Sequence, residues 1–420
     1  MAEYLTRIAD QVVADALKSA GAVLLEGPKW CGKTWTCQRL AKSALFMQNP
    51  DEAANYLRTA AVKPSLLLAG ETPRLLDEWQ VAPVLWDAVR FAVDQRGETG
   101  QFILTGSAVP TDDATTHSGT GRIVRRKMRP MSLYESLEST GEVSLSSLFD
   151  EEKDLQGTST LTIEALASVL TRGGWPASIG SGQFEGLRQV NDYVDAVINT
   201  DVSRVDGMEK NPLRVRALLR SLARNTSTAA TITTLRNDIA VDDTDVSEKT
   251  IALYLNALRR IHVVEDLLAW TPALRSRTPV RSTPTRHFVD PSIASAVLRS
   301  TPSRLLADFN TFGLLFESLC VRDLRVYASA FDGEVFHYRD KSGLEADAIV
   351  QLGDGRWGAV EVKMGAAEED RAADNLRALA DKVDADKMFG PSFLLILTAG
   401  QFAYQRSDGV LVVPLGCLGP

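Results

Sequence analysis

The chain has 420 residues, 45% hydrophobic and 24% charged, which excludes a disordered, collagen-like or coiled-coil rod architecture. That length exceeds one compact core, so about two or three domains are expected. Lys+Arg 46 against Asp+Glu 54 leave a net charge of −8, which excludes a surface that wraps nucleic acid all round.

Residues 4–20 carry apolar side chains at helical spacing, and Gly21 ends the pattern. The opening residues are amphipathic and acidic early, unlike a secretory leader, and no run approaches the ~20 apolar residues of a membrane helix. Residues 22–26 form a short apolar run that predicts a buried strand, followed by a glycine loop and a helix starting near Lys33. Residues 65–69, 74–77 and 101–105 are further strand candidates. Short strands alternating with helices predict a parallel α/β sheet covered on both faces. Residues 138–162 turn polar and rich in Ser, Thr, Gly and acids, as a linker or insertion would. Helical periodicity returns through Ala223. Residues 231–270 then read helix, polar turn (242–247), helix (248–260) and a β-like stretch (262–269), the order of a winged helix-turn-helix. Residues 309–327 predict a helix, 335–339, 346–352 and 359–362 strands, 368–383 a helix, and 393–398 a buried strand. The expected domains are therefore 1–137, 138–215, 216–290 and 300–420.

Cys31, Cys37, Cys320 and Cys417 show neither CxxC spacing nor a histidine cluster, so a disulfide framework or zinc ribbon is not expected, and a reducing cytoplasm fits. His117, His262, His287 and His337 are scattered and read as structural or exposed. Two local basic groups stand out: Arg122, Arg125, Arg126, Lys127 and Arg129; and Arg275, Arg277, Arg281 and Arg286.

Gly27-Pro28-Lys29-Trp30-Cys31-Gly32-Lys33-Thr34 fits GxxxxGK[ST]. Glycines let backbone N–H groups curl around phosphate oxygens, while Lys33 reaches the β- and γ-phosphates and the Thr34 hydroxyl ligates Mg²⁺. The helix that begins there, with Trp35 on its first turn, adds the positive end of its dipole. Leu75-Leu76-Asp77-Glu78 is an apolar strand ending in two carboxylates, Asp77 to hold Mg²⁺ and Glu78 to polarise a water. The strand of residues 102–107 closes in hydroxyls, so that Thr105 or Ser107 can sense the γ-phosphate. Arg122, after Gly119-Thr120-Gly121, is the candidate arginine finger across a subunit boundary.

The strings GPKWCGKT, LLDEWQVAP, FILTGSA, GRIVRRKMRPMSLYE, GGWPA, YVDAVINTD and HFVDP resemble an AAA-like family of ATP-binding proteins with a C-terminal domain of unknown function. DEWQ and LTGS are the most specific of them, and Trp30-Cys31 depart from the usual loop. That resemblance implies ATP binding and hydrolysis with Mg²⁺. Asp347 followed by Glu361-Val362-Lys363 is similar to the PD-(D/E)xK pattern of restriction-endonuclease-like folds, a fold the resemblance also implies for the C-terminal domain. Glu361 and Lys363 share one face of a strand, and Asp347, Glu361 and Glu317 can ligate a metal while Lys363 orients a water. Equally, Glu-x-Lys on a half-buried strand is ordinary ion pairing. The reading that follows is an ATPase gating a winged-helix and nuclease-like module directed at DNA or a protein partner, with a homo-oligomer if Arg122 serves a neighbour. The alternatives are a nucleotide-gated scaffold with little turnover and an ATP-regulated, metal-dependent nuclease.

Overall fold

The computed structural model describes residues 4–108, 118–150, 155–205, 207–240, 246–272, 283–383 and 389–420. The chain divides into two compact units. The first comprises Met1–Pro130, Asn199–Lys210 and Asn256–Val263; the second comprises Met131–Ile198, Asn211–Leu255 and Val264–Pro420.

In the first unit, β1 (Ala22–Glu26), β2 (Ser43–Phe46), β3 (Arg74–Asp77), β4 (Phe102–Gly106) and β5 (Ile123–Lys127) form one sheet in the order β2-β3-β4-β1-β5. Every pair is parallel. Helices α1 (Ile8–Ser19), α2 (Lys33–Leu40), α3 (Ala53–Val62) and α4 (Val84–Arg96) cover it. The alternation of β1 explains its unbroken apolar sequence. Ala22 and Leu24 join a core with Trp79, Trp86 and Val89, whereas Val23 and Leu25 join one with Val13, Leu17 and Cys37. A Cβ at Gly21 would stand 2.2 Å from a Val93 methyl, so glycine lets α4 close on the strand.

Three expectations change here. Residues 65–69 are not a strand; Pro64–Leu68 is a 3-10 helix, which Pro64 at its first position favours. The first helix starts at Ile8 rather than at residue 4, where Asp10 accepts from the Arg7 N–H and caps the turn. The first basic group is in part the edge strand β5, whose charged side chains blunt an open edge.

The middle of the chain contributes helices to the second unit, among them Ile163–Arg172, Gln183–Ala196, Pro212–Arg224 and Ile232–Ala240. Helix Glu248–Arg260 follows, its last turn counted with the first unit, and two antiparallel bridges, Val264 with Phe288 and Leu267 with Thr285, tie the β-like stretch to a returning segment. Tyr254 and Leu255 of that helix are buried. Arg286 of the second basic group is buried and paired with Asp266 at 2.7 Å, so it is structural; Arg275, Arg277 and Arg281, like His117, lie outside the described residues.

The polar segment expected as a linker contains β6 (Val143–Ser144) and buries Leu145, Leu148 and Phe149. After helix Phe309–Ala328 come β7 (Glu334–Arg339), β8 (Glu345–Gln351), β9 (Trp357–Lys363), helix Glu369–Lys382, β10 (Phe393–Thr398), β11 (Tyr404–Gln405), β12 (Leu411–Pro414) and β13 (Leu418–Gly419). β13 pairs with β6; the other six form a mixed sheet in the order β11-β12-β10-β9-β8-β7, parallel only at β9-β10 and β10-β12. No helix among the described residues is long and apolar enough to cross a membrane.

Candidate functional site

The glycine loop follows the carboxyl end of β1, between the ends of β4 and β5. Open α/β sheets offer ligand space at such a point, where neighbouring strands connect in opposite directions. Gly27 sits so close to the end of β5 that a Cβ would meet the Met128 carbonyl oxygen at 2.1 Å. Gly32 has φ +103, a left-handed backbone that releases the chain into α2 at Lys33, and no side chain caps that helix. Lys33 is buried and its Nζ donates to the Gly27 and Pro28 carbonyls at 3.0 and 2.8 Å. Trp30 and Trp35 are exposed beside the loop, 55% and 59%, while Cys31 is fully buried.

Two braces hold the loop from outside. Arg7, buried before α1, donates to the Cys31 and Arg129 carbonyls at 2.7 and 2.8 Å. Lys29 pairs with Asp201 at 2.7 Å, so part of the YVDAVINTD string returns to the first unit and meets the loop.

Across from the loop, β3 delivers Asp77. Its Oδ1 accepts from Thr34 Oγ1 at 2.8 Å and from Thr105 Oγ1 at 2.6 Å. Thr105 also accepts from the Glu78 N–H at 3.1 Å, which fixes the turn into Glu78. Thr34 hydroxyl and Asp77 carboxylate, one donor group from the loop and one from the strand, are the hard oxygen set a magnesium ion takes. Glu78 adopts φ +56, and its Oε2 accepts from Ser107 Oγ at 3.0 Å and from Gln80 Nε2. Arg122 lies at the opposite, amino edge of the sheet, where its Nε pairs with Asp94 at 2.7 Å.

The C-terminal candidates form a second cluster. Lys363 Nζ stands 2.7 Å from Glu361 Oε2 and 3.5 Å from Asp347 Oδ2, and Asp347 Oδ2 also accepts from the Val362 N–H at 2.7 Å. Burial, then Asp347, pushes the Glu361 carboxyl up to about 7; its Oε1 is buried without a hydrogen-bond partner. Burial, then Asp347, also holds the Glu317 carboxyl well above the ordinary carboxylate range. Burial works against the Lys363 charge, but Asp347 and Glu361 outweigh it and raise the ammonium above its ordinary value. Lys363 thus stands as the cation between the two acids. Among the described residues no group of three or more His, Cys, Asp or Glu is arranged to hold a metal ion.

A third cluster explains strings whose role the sequence did not disclose. Arg322 pairs with Asp290 at 2.8 Å and with Asp323 at 2.6 Å, all three buried. Asp290 accepts from the Gly174 N–H at 3.1 Å, and Asp323 from the Leu133 N–H at 3.0 Å. A Cβ at Gly174 would stand 2.0 Å from the Met131 carbonyl oxygen. GGWPA, HFVDP and the PMSLYE end of the basic string therefore converge on one buried staple. The clue was the adjacent charged pair Arg322-Asp323 on the buried face of helix Phe309–Ala328.

Residues 19–137 match the family described as AAA domain. Residues 163–304 and 312–418 match two families described as domains of unknown function, DUF8612 and DUF4143. The match to an AAA domain thus falls mainly in the first unit, and the two matches to domains of unknown function follow it in sequence. Two mycobacterial proteins are similar over almost the whole chain: uncharacterized protein Mb2031c of Mycobacterium bovis and uncharacterized protein Rv2008c of Mycobacterium tuberculosis. Each is 24% identical over 409 residues, 95% of this chain and 81% of theirs. Among solved structures, the Walker-type ATPase PABY2304 of Pyrococcus abyssi is similar over 70% of this chain and 96% of its own, with 13% identity and a TM-score of 0.43.

Proposed function

We propose that the chain binds ATP with Mg²⁺ and hydrolyses it. The observation that carries this reading is the 2.8 Å meeting of Thr34 and Asp77 between a GxxxxGK[ST] loop and the carboxylate of Glu78. In this reading Lys33 exchanges its two loop carbonyls for phosphate oxygens, and the free N–H groups of the first turn of α2 receive the remaining phosphate charge. Gly27, Pro28, Lys29, Trp30, Cys31, Gly32, Trp35 and Thr105 shape the loop and its surround. Thr34 and Asp77 would hold Mg²⁺, which would supply positive charge against the phosphates. Glu78 takes the proton of the attacking water. Arg122 is too far along the sheet to serve its own site and would act on a second copy in a homo-oligomer.

Hydrolysis would drive the winged-helix and nuclease-like modules (216–290 and 300–420, reached through 138–215), acting on DNA or a protein partner in the cytoplasm. Steady-state hydrolysis with and without DNA tests this reading. Glu78→Gln should lower turnover about 100-fold or more and keep ATP affinity; a chain that turns over little and is unchanged by Glu78→Gln is a nucleotide-gated scaffold instead.

A second reading rests on the orphaned Glu361 Oε1. Here Glu317, Asp347 and Glu361 would hold a divalent ion only once Lys363 withdrew from between the acids, and Lys363 would then orient a water for phosphodiester cleavage in a restriction-endonuclease-like fold. Mg²⁺- or Mn²⁺-dependent nicking lost in Glu361→Ala and in Lys363→Ala is the expected result. Nicking that survives both removes it.

A further inference from the structure

Glu78 is anchored by two side chains that the phosphate loop and the Thr34–Asp77 pair do not explain. Ser107 Oγ donates to Glu78 Oε2 at 3.0 Å, and Gln80 Nε2 donates to the same oxygen. The other end of that amide, Gln80 Oε1, is buried without a partner. A glutamine with only a packing role would turn to satisfy both ends or face water, because an orphaned buried acceptor is costly. The reversed amide would set its oxygen against the Glu78 carboxylate, so charge dictates the orientation. Gly106 leaves room for it, since a Cβ there would come within 3.2 Å of Gln80 Oε1. Glu78 is further fixed by its left-handed backbone and by its N–H bond to Thr105. One carboxylate oxygen is thus doubly held by neutral donors, and the second, Oε1, is left to act.

We propose that Gln80, together with Ser107, is a positioning residue for hydrolysis: the two anchor Glu78 Oε2 so that Oε1 faces the attacking water. This inference rests on the reading of Glu78 as the base. In the step it serves, the water oxygen bonds the γ-phosphorus as the bond to the bridging oxygen breaks, its electron pair leaving on ADP. The water proton passes to Glu78 Oε1 and then to solvent. A carboxylate free to rotate would keep its charge and lose its aim, and a misplacement of about 1 Å can cost about 100-fold in rate.

The test uses the full chain and measures kcat, KM, melting temperature and the Kd of a fluorescent ATP analogue. Gln80→Ala and Ser107→Ala should each lower kcat roughly 10- to 100-fold. Kd and melting temperature should stay unchanged, and Ser107→Thr, which keeps the hydroxyl, should recover most of the rate. In a Glu78→Gln background neither alanine change should cost anything further, because both act through Glu78. A loss in that background as large as in the native one would overturn the proposal, as would unchanged kcat in Gln80→Ala. A rise in Kd or a fall in melting temperature that accounts for the lost rate would reduce both residues to packing and overturn it too. Absence of Lys33-dependent turnover in the unaltered chain fails the ATPase reading and this inference with it; Lys33-dependent turnover indifferent to Gln80 and Ser107 fails this inference alone.

Discussion

Asp77 and Glu78 close a strand of a parallel sheet, while Asp347 and Glu361 lie on neighbouring antiparallel strands of a mixed one. In the first site the acid oxygens Asp77 Oδ1 and Glu78 Oε2 meet only neutral donors: Thr34, Thr105, Ser107 and Gln80. The nearby cation, Lys33, spends its protons on loop carbonyls. In the second site Lys363 already sits between the two acids, and Glu361 still keeps one oxygen orphaned. Uncompensated acids beside a phosphate-shaped loop invite a cation with its ligand. Acids that carry their own ammonium resist one, and register their burial as a raised carboxyl instead. The Arg322 staple lies furthest along this scale, with two acids and one guanidinium fully withdrawn from water.

Four substitutions break or sharpen this contrast. Glu78→Gln removes only the base and should lower kcat by about 100-fold or more, with ATP affinity kept. A variant that loses affinity in parallel would show that Glu78 serves binding. Removing one partner of the staple strands a buried charge, so Asp290→Ala should cost about 3–5 kcal/mol. Urea unfolding measures this, and a loss below about 1 kcal/mol would place Asp290 among surface pairs.

Glu361 gives a pH signature. Burial, then Asp347, pushes its carboxyl up to about 7 in the folded chain from an ordinary value of about 4.5, so folding takes up a proton between those pH values. Stability from this group is fully present below pH 4.5 and declines as pH rises through 7. Glu361→Gln should flatten that decline and be the more stable protein at pH 8, by on the order of 1–3 kcal/mol. A variant less stable at pH 8 than at pH 5 relative to the native chain would reverse the sign. Arg122→Ala, which breaks a half-exposed pair with Asp94, should change stability by about 0–1 kcal/mol. A larger loss would mean that the amino edge of the sheet relies on it.

The legible parts of the fold are those where one local rule dominates. β1 and the start of α2 are where the apolar run and the glycine loop put them, and β3 and β4 need shifts of at most one residue. β2 escapes because Ser43–Phe46 is a four-residue edge strand with one fully buried side chain, too short to show alternation. β5 escapes because edge strands use charge, so Arg125, Arg126 and Lys127 read as a surface patch. Pro64–Leu68 misleads in the other direction: Leu66, Leu67 and Leu68 look like a strand, yet Pro64 starts a helical turn and leaves Leu66 exposed. In the site, Lys33, Thr34, Asp77 and Glu78 follow from spacing, and Thr105 from its place at a strand end. Gln80, Arg7 and Asp201 could not be reached that way. Arg7 and Asp201 act through contacts that depend on how the chain returns in space, 24 residues on between Arg7 and Cys31 and 172 between Lys29 and Asp201, while Gln80 reaches Glu78 two residues away only because the turn after β3 folds its side chain back.

The measurement that tests the central claim most directly is steady-state ATP hydrolysis by the full chain with Mg²⁺, beside Lys33→Ala, with ATP affinity measured on both. The account predicts turnover in the native chain that disappears in Lys33→Ala together with tight binding. Turnover that persists in Lys33→Ala, or a native chain that binds ATP and never hydrolyses it, would contradict it.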